Sequence, residues 1–190
     1  MTTRRHLLTS GLAALATPAL ISVSHAANGP KGWTLADEHK PRLVKVKKEL
    51  AAGQIHVVTG SHYLYFTLGD GKAVRYGVAV GSEGRNFKGS ATIRRKVEWP
   101  SWTPTANMIA REPAKYARFA GGMAGGPGNP LGARALYLYR GGRDTYYRIH
   151  GTPQPWTIGR SVSSGCIRMV NEHVTQLYQR IPIGTKVTVY

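Results

Sequence analysis

From Gln54 onward apolar residues recur mostly at every second position, in short runs bounded by glycine, proline or Asp-Gly. That period predicts strands, because successive side chains of an extended chain face opposite ways. Gln54–Val58 is the first. Tyr63–Leu68 and Ala73–Val80 flank Gly69-Asp70-Gly71-Lys72 and predict a hairpin, since both residues of an Asp-Gly turn accept positive φ. Ala91–Trp99, Ala133–Tyr139 and Thr145–His150 predict three more strands, and Lys186–Tyr190 alternates as a closing one.

A helical period shows twice. Leu43, Val46 and Leu50, set among Arg42, Lys45, Lys47, Lys48 and Glu49, predict a short amphipathic helix over Pro41–Ala52. Val174, Leu177, Tyr178 and Ile181 predict a second helix, with Asn171 as its cap and Pro182 and Gly184 as its end. His173 falls beside that apolar face. Pro100, Pro104 and Pro113 leave Trp102–Tyr116 irregular with at most a short helix. Gly121–Gly132 reads as a long glycine loop that either lets backbone approach a ligand or crosses the surface; it lacks the G-x-x-x-x-G-K-[ST] of a phosphate loop. The sum is a mainly β domain with one helix near the C-terminus.

A chain of 190 residues has room for one domain. Its first 26 residues read as a signal peptide: Arg4 and Arg5, an apolar run from Gly11 to Val23 too short for a bilayer, then Ser24-His25-Ala26. The arginine pair resembles a twin-arginine export signal, although Thr9 stands where such signals often carry Lys. Residues 27–53 form a lead-in, flexible and polar through position 40, and 54–190 the domain. Lysine and arginine exceed acids by 17, and by 15 once Arg4 and Arg5 are cleaved away. Such a charge attracts polyanions, and export argues against nucleic acid among them. Charge that merely keeps an exported chain soluble accounts for it equally.

The chain holds one cysteine, Cys166, which cannot form an internal disulfide and is therefore inert, paired with another molecule, or a working thiol. Arg160 and Arg168 flank it and no acid lies between Asp144 and Glu172, a field that favours the thiolate. Gly165 admits a substrate carbonyl, and the N–H groups of Gly165 and Cys166 are candidates to hold a developing oxyanion. Among the histidines, His39 lies in the lead-in, while His56 and His62 read as strand and turn residues. His150 ends a strand where the chain turns at Gly151-Thr152-Pro153, and is the candidate base. With no adjoining acid, its orienting partner is a backbone carbonyl, that of Gly151. One Cys with one His is too few for a metal.

His150-Gly151-Thr152 followed by Ser163-Ser164-Gly165-Cys166-Ile167-Arg168-Met169 closely resembles the active-site signature of the L,D-transpeptidase (YkuD, or ErfK/YbiS/YcfS/YnhG) family. The likeness runs over about residues 54–190 and includes Gly126–Gly132. It implies mixed β-sheets forming a sandwich, an exported periplasmic enzyme, and no cofactor. It implies that Cys166 attacks the diaminopimelate carbonyl of a peptidoglycan stem tetrapeptide, expelling D-alanine, with His150 as base and then acid. The thioester would pass to a second stem as a 3→3 cross-link, to a lysine of an envelope protein, or to water. Carbapenems are expected to acylate the cysteine. The resemblance sets Ser163, Ser164 and Arg168 along the substrate, with Arg168 either binding a carboxylate or pinning the loop. Many members have His directly before Gly-Cys where this chain has Ser164, so no role of a second imidazole carries over. The rival readings are an exported L,D-carboxypeptidase or endopeptidase and a noncatalytic, basic wall-binding module.

Overall fold

The structure, a computed structural model, describes residues 30–190; the expected signal peptide lies outside them. Eleven strands are described: β1 (Arg42–Lys45), β2 (Ile55–Val58), β3 (Tyr63–Gly69), β4 (Lys72–Gly77), β5 (Val80–Gly81), β6 (Gly89–Glu98), β7 (Arg134–Arg140), β8 (Arg143–His150), β9 (Ser161–Ser163), β10 (Ile167–Arg168) and β11 (Lys186–Val189). Three helices accompany them: α1 (Ala106–Arg111), α2 (Pro113–Tyr116) and α3 (Asn171–Arg180). Nine strands form one mixed sheet in the order β1-β4-β3-β2-β11-β6-β7-β8-β10, and β5 pairs with β9 in a second. The fold is mainly β, as the alternation predicts.

The Asp-Gly hairpin forms between β3 and β4, with φ of 50° at Asp70 and 68° at Gly71. The inward positions of both halves of the large sheet share one core. Leu64, Phe66 and Tyr76 from one end meet Leu136, Leu138, Ile149 and Ile167 from the other, with Val174, Leu177 and Ile181 of α3 against them. The sheet therefore curls until its ends approach. Ala79, just past β4, exchanges backbone hydrogen bonds of 2.9 and 2.8 Å with Arg168 of β10. Among the described residues no helix is long and apolar enough to cross a membrane.

Five local expectations need correction. Residues 42–45 are an edge strand and not part of a helix: β1 takes its backbone hydrogen bonds from β4, and Leu43 remains 62% exposed, so the apolar stripe buries little. The end of the lead-in is fixed and not loose. Asp37–His39 makes a 3₁₀ turn, and the His39 ring packs where Gly77 and Gly159 leave room that any Cβ would fill. The proline-rich stretch carries two short helices where at most one was expected, the first capped by Thr105, whose hydroxyl accepts the Met108 N–H at 3.2 Å. Asn171 does not cap α3, whose capping position is Val170. Its Oδ1 instead accepts the N–H groups of Ala133 (3.0 Å) and Thr152 (3.1 Å). His173 is buried against the Tyr76 ring, because the sheet curls around more of α3 than its apolar stripe.

Leu177 is fully buried at the contact of α3 with the sheet. Leu177→Ala should cost about 2–5 kcal/mol of stability in urea titration, the range for emptying a packed leucine site. Ile183→Ala, at a position 59% exposed, should change it by no more than about 0.5 kcal/mol.

Candidate active site

The site is a consequence of strand periodicity. β8 and β10 run parallel with Ile149 opposite Ile167 and His150 opposite Arg168. The isoleucines point into the core, so their neighbours point the other way. His150 and Arg168 share that outer face, and the same register carried back one residue sets Cys166 beside Arg148. All four line one cavity of about 770 Å³.

The far wall comes from the segment between β6 and β7. Trp102, Tyr116 and Phe119 line it with Lys115 and Arg118, and the Trp102 ring lies 6.2 Å from that of Tyr116 and 5.8 Å from that of Phe119. The glycine loop crosses the surface at Gly121, Ala124, Gly125, Pro127 and Gly128, which are exposed, and also reaches the cavity, where Gly128, Pro130 and Leu131 line it. Trp102 pairs with Met123, and buried Asn129 donates from Nδ2 to the Met123 and Ala124 carbonyls while its Oδ1 accepts the Leu131 N–H. Lys115, Arg118, Arg148 and Arg168 line the cavity, and no acidic residue does.

His150 is 4% exposed, and its Nδ1 lies 2.6 Å from the Gly151 carbonyl oxygen. A carbonyl only accepts, so Nδ1 carries the hydrogen and Nε2 keeps its lone pair. Burial, followed by the charge of Arg168, pushes the imidazole from 6.5 down to about 3 against the opposing pull of the Gly151 carbonyl. The ring is neutral at physiological pH and able to take a proton.

Cys166 is half-buried, its thiol directed at the Tyr146 carbonyl oxygen 3.8 Å away. Burial pushes the thiol up, outweighing a hydrogen bond from the Arg148 backbone and the charges of Arg148 and Arg168. This corrects the expectation of a thiolate-favouring field. The arginines are present, but desolvation is larger, and the resting pair is thiol and neutral imidazole.

The turn into the cysteine departs from expectation at two residues. Ser163 is 2% exposed; its hydroxyl donates to the Cys166 carbonyl (2.6 Å) and accepts the Gly165 N–H (3.1 Å). Ser163 thus ties the turn together and has no hydrogen left for substrate, and the Gly165 N–H is engaged and not free for an oxyanion. Gly165 has φ +129°, and a Cβ there would lie 2.5 Å from Tyr147 Cε1 and 2.6 Å from the Arg85 carbonyl. The glycine is needed by the turn itself. Ser164 lines the cavity. The Arg168 backbone is the one bonded to Ala79, while its guanidinium lines the cavity with no acid in ion-pair range among the described residues.

Asp144, Tyr146 and Arg148 belong to no sequence motif yet sit beside the cysteine, and Asn171, expected only as a helix cap, ties Ala133 to Thr152 beside His150. The faint signal for Arg148 was its place two residues before His150 on the same strand face. Of the other histidines, His56 bonds the Tyr190 hydroxyl and His62 the Ser161 hydroxyl, away from the cavity. No group of three or more metal-binding side chains occurs among the described residues.

Comparison with known proteins agrees with this architecture. A family model described as the L,D-transpeptidase catalytic domain (YkuD) matches residues 52–189. The probable L,D-transpeptidase YbiS of Escherichia coli K12 is 34% identical over 160 residues, 83% of this chain and 50% of that protein. A crystal structure from Brucella melitensis, described as a probable carnitine operon oxidoreductase caia, is 51% identical with a TM-score of 0.56, covering 82% of this chain and 96% of that one. The Enterococcus faecium L,D-transpeptidase, 15% identical, is similar in fold alone (TM-score 0.51, covering 74% of this chain and 50% of that one). The chain belongs to the L,D-transpeptidase catalytic-domain family. It spans about half the length of the curated relatives it matches.

His150 also gives the fold a pH signature. Below about pH 6.5 the unfolded chain protonates this ring, while the folded chain does so only near about 3. The unfolded state then binds more protons, so stability is complete above 6.5 and falls as pH drops toward 3. Urea midpoints at pH 7 and pH 4.5 should differ less for His150→Gln than for the parent.

Proposed function

We propose that the protein is a cysteine L,D-transpeptidase of peptidoglycan, acting after export to the periplasm. The observation that carries this reading is the meeting of the chain's only cysteine with His150 in one cavity, the imidazole already held through Nδ1.

The donor is a stem tetrapeptide. Cys166 Sγ attacks the carbonyl at the L-centre of diaminopimelate while His150 Nε2 takes the thiol proton. With Gly165 N–H engaged, the Cys166 N–H is the remaining backbone donor for the oxyanion. The carbon–nitrogen bond breaks, His150 returns the proton to the departing D-alanine amine, and a thioester remains. An acceptor amine then attacks the thioester, gives its proton to His150, and the thiol is restored. Arg168, a cation without an acidic partner beside the nucleophile, binds a donor carboxylate, and Ser164 lies along the same path. The resting neutral pair fits proton transfer during attack better than a preformed ion pair.

Two acceptors are consistent with this scheme besides a second stem: a lysine of an envelope protein, and water. Intact mass after exposure to a carbapenem should rise by one inhibitor per chain, and not at all for Cys166→Ala. Tetrapeptide muropeptides should yield 3→3 dimers. Tripeptide alone would identify a carboxypeptidase, and unchanged turnover by Cys166→Ala would end the cysteine reading.

A further inference from the structure

Neither Asp144 nor Arg148 belongs to the His-Gly-Thr or Ser-x-Gly-Cys-x-Arg motif, yet the nucleophile rests on the piece of β8 they build. The β7–β8 ladder loses register there. Tyr137 faces Arg148 and Tyr139 faces Asp144, so Thr145, Tyr146 and Tyr147 stand against Leu138 alone. Such a bulge re-aims backbone groups next to active sites. Tyr146 lies at φ +59°, a left-handed conformation that bulky residues adopt only when held there.

The holding contacts converge on one carboxylate. Asp144 Oδ1 accepts the Tyr146 N–H at 2.8 Å. Asp144 also accepts two hydrogen bonds from the Arg148 guanidinium, 2.7 Å to Oδ1 and 2.9 Å to Oδ2. That guanidinium lies 4.2 Å over the Tyr137 ring, which limits its freedom to let go. The Thr145 hydroxyl ties the bulge to the Leu138 carbonyl at 2.6 Å. What the bulge presents to the sulfur is specific: the Tyr146 carbonyl faces the S–H at 3.8 Å. Tyr146 itself is left 72% exposed at the cavity.

We propose that Asp144 is a positioning residue for the nucleophile, holding the β8 bulge in the shape whose Tyr146 carbonyl seats the Cys166 thiol for attack. The inference rests on the reading of Cys166 as the nucleophile. It assigns the strain at Tyr146 to function: a regular strand would need neither the left-handed residue nor the half-buried Asp144–Arg148 ion pair, and would take the Tyr146 carbonyl away from the sulfur.

The test pairs turnover with thiol titration in the purified full chain. The charged groups facing the sulfur are Arg148 and Asp144 from β8 and Arg168 from β10. Asp144→Ala removes the carboxylate that raises the thiol and frees the guanidinium that lowers it. For Asp144→Ala, kcat on stem tetrapeptide should fall about 10- to 100-fold, as for a misplaced reacting atom, with KM within about twofold. Alkylation of Cys166 by iodoacetamide needs no aim, and its pH midpoint should move lower. Asp144→Asn keeps an oxygen for the Tyr146 N–H, so it should recover kcat to within roughly fivefold of the parent while retaining the lowered midpoint. Parental kcat in both variants overturns the proposal, as does a loss of kcat with the midpoint unmoved. If the alanine variant does not fold, Asp144→Ser, too short to reach the Tyr146 N–H as the carboxylate does, takes its place: kcat reduced about 10-fold or more with a lowered midpoint supports the clamp, and parental kcat overturns it. A parent inactive on stem peptides would instead count against the functional reading and leave the alkylation midpoints to judge the clamp.

Discussion

Two isoleucines, Ile149 and Ile167, lie side by side at the junction of β8 and β10 with essentially no exposure. Their burial is what the site depends on. An extended chain alternates, so fixing one residue of each strand in the core fixes its neighbours on the opposite face. Arg148, His150, Cys166 and Arg168 thus become four corners of one patch. A slip of one residue in either strand would send the reacting side chain into the hydrocarbon interior and an isoleucine into the cavity. The chemistry is placed by apolar packing before any polar contact refines it.

The polar contacts then act as adjustments to that frame. Ser163 closes the turn before the cysteine, and Gly151 turns the imidazole. Asn171 ties the backbones of Ala133 and Thr152 through a single oxygen, at a crossing so close that Gly132 and Gly151 have no room for a Cβ. Three segments distant in sequence are held there by one side chain. On the other flank, Ala79 bonds Arg168 and makes the two-residue β10 an interior strand in practice, although it ends the main sheet in order.

The strands and the Cys166–His150 motif were legible because each rests on local pattern: alternation, an Asp-Gly turn, a glycine before a lone cysteine. What escaped is what distance decides. Residues 42–45 carry a helical spacing, but an open edge on β4 offers hydrogen bonds that a short, exposed helix cannot match. Asn171 sits where a cap belongs and is drawn off by two unpaired N–H groups from elsewhere in the chain. The arginines around Cys166 stand where the spacing puts them, but burial, which no sequence spacing measures, outweighs their charge. The bulge at Tyr146 left no mark at all, since the residue there is neither glycine nor asparagine.

The cavity wall without carboxylates has a bearing on the second half of the proposed reaction. Two of its four cations pair with acids outside the lining, Lys115 with Glu112 and Arg148 with Asp144, and among the described residues Arg118 and Arg168 have no such pair. An ammonium ion entering this space meets like charge and no counterion, while the same group without its proton meets no such barrier. In the proposed transfer to an amine, such a wall would favour the unprotonated, nucleophilic form of the acceptor, and the cost of removing its proton would fall on the approach rather than on the bond-making step.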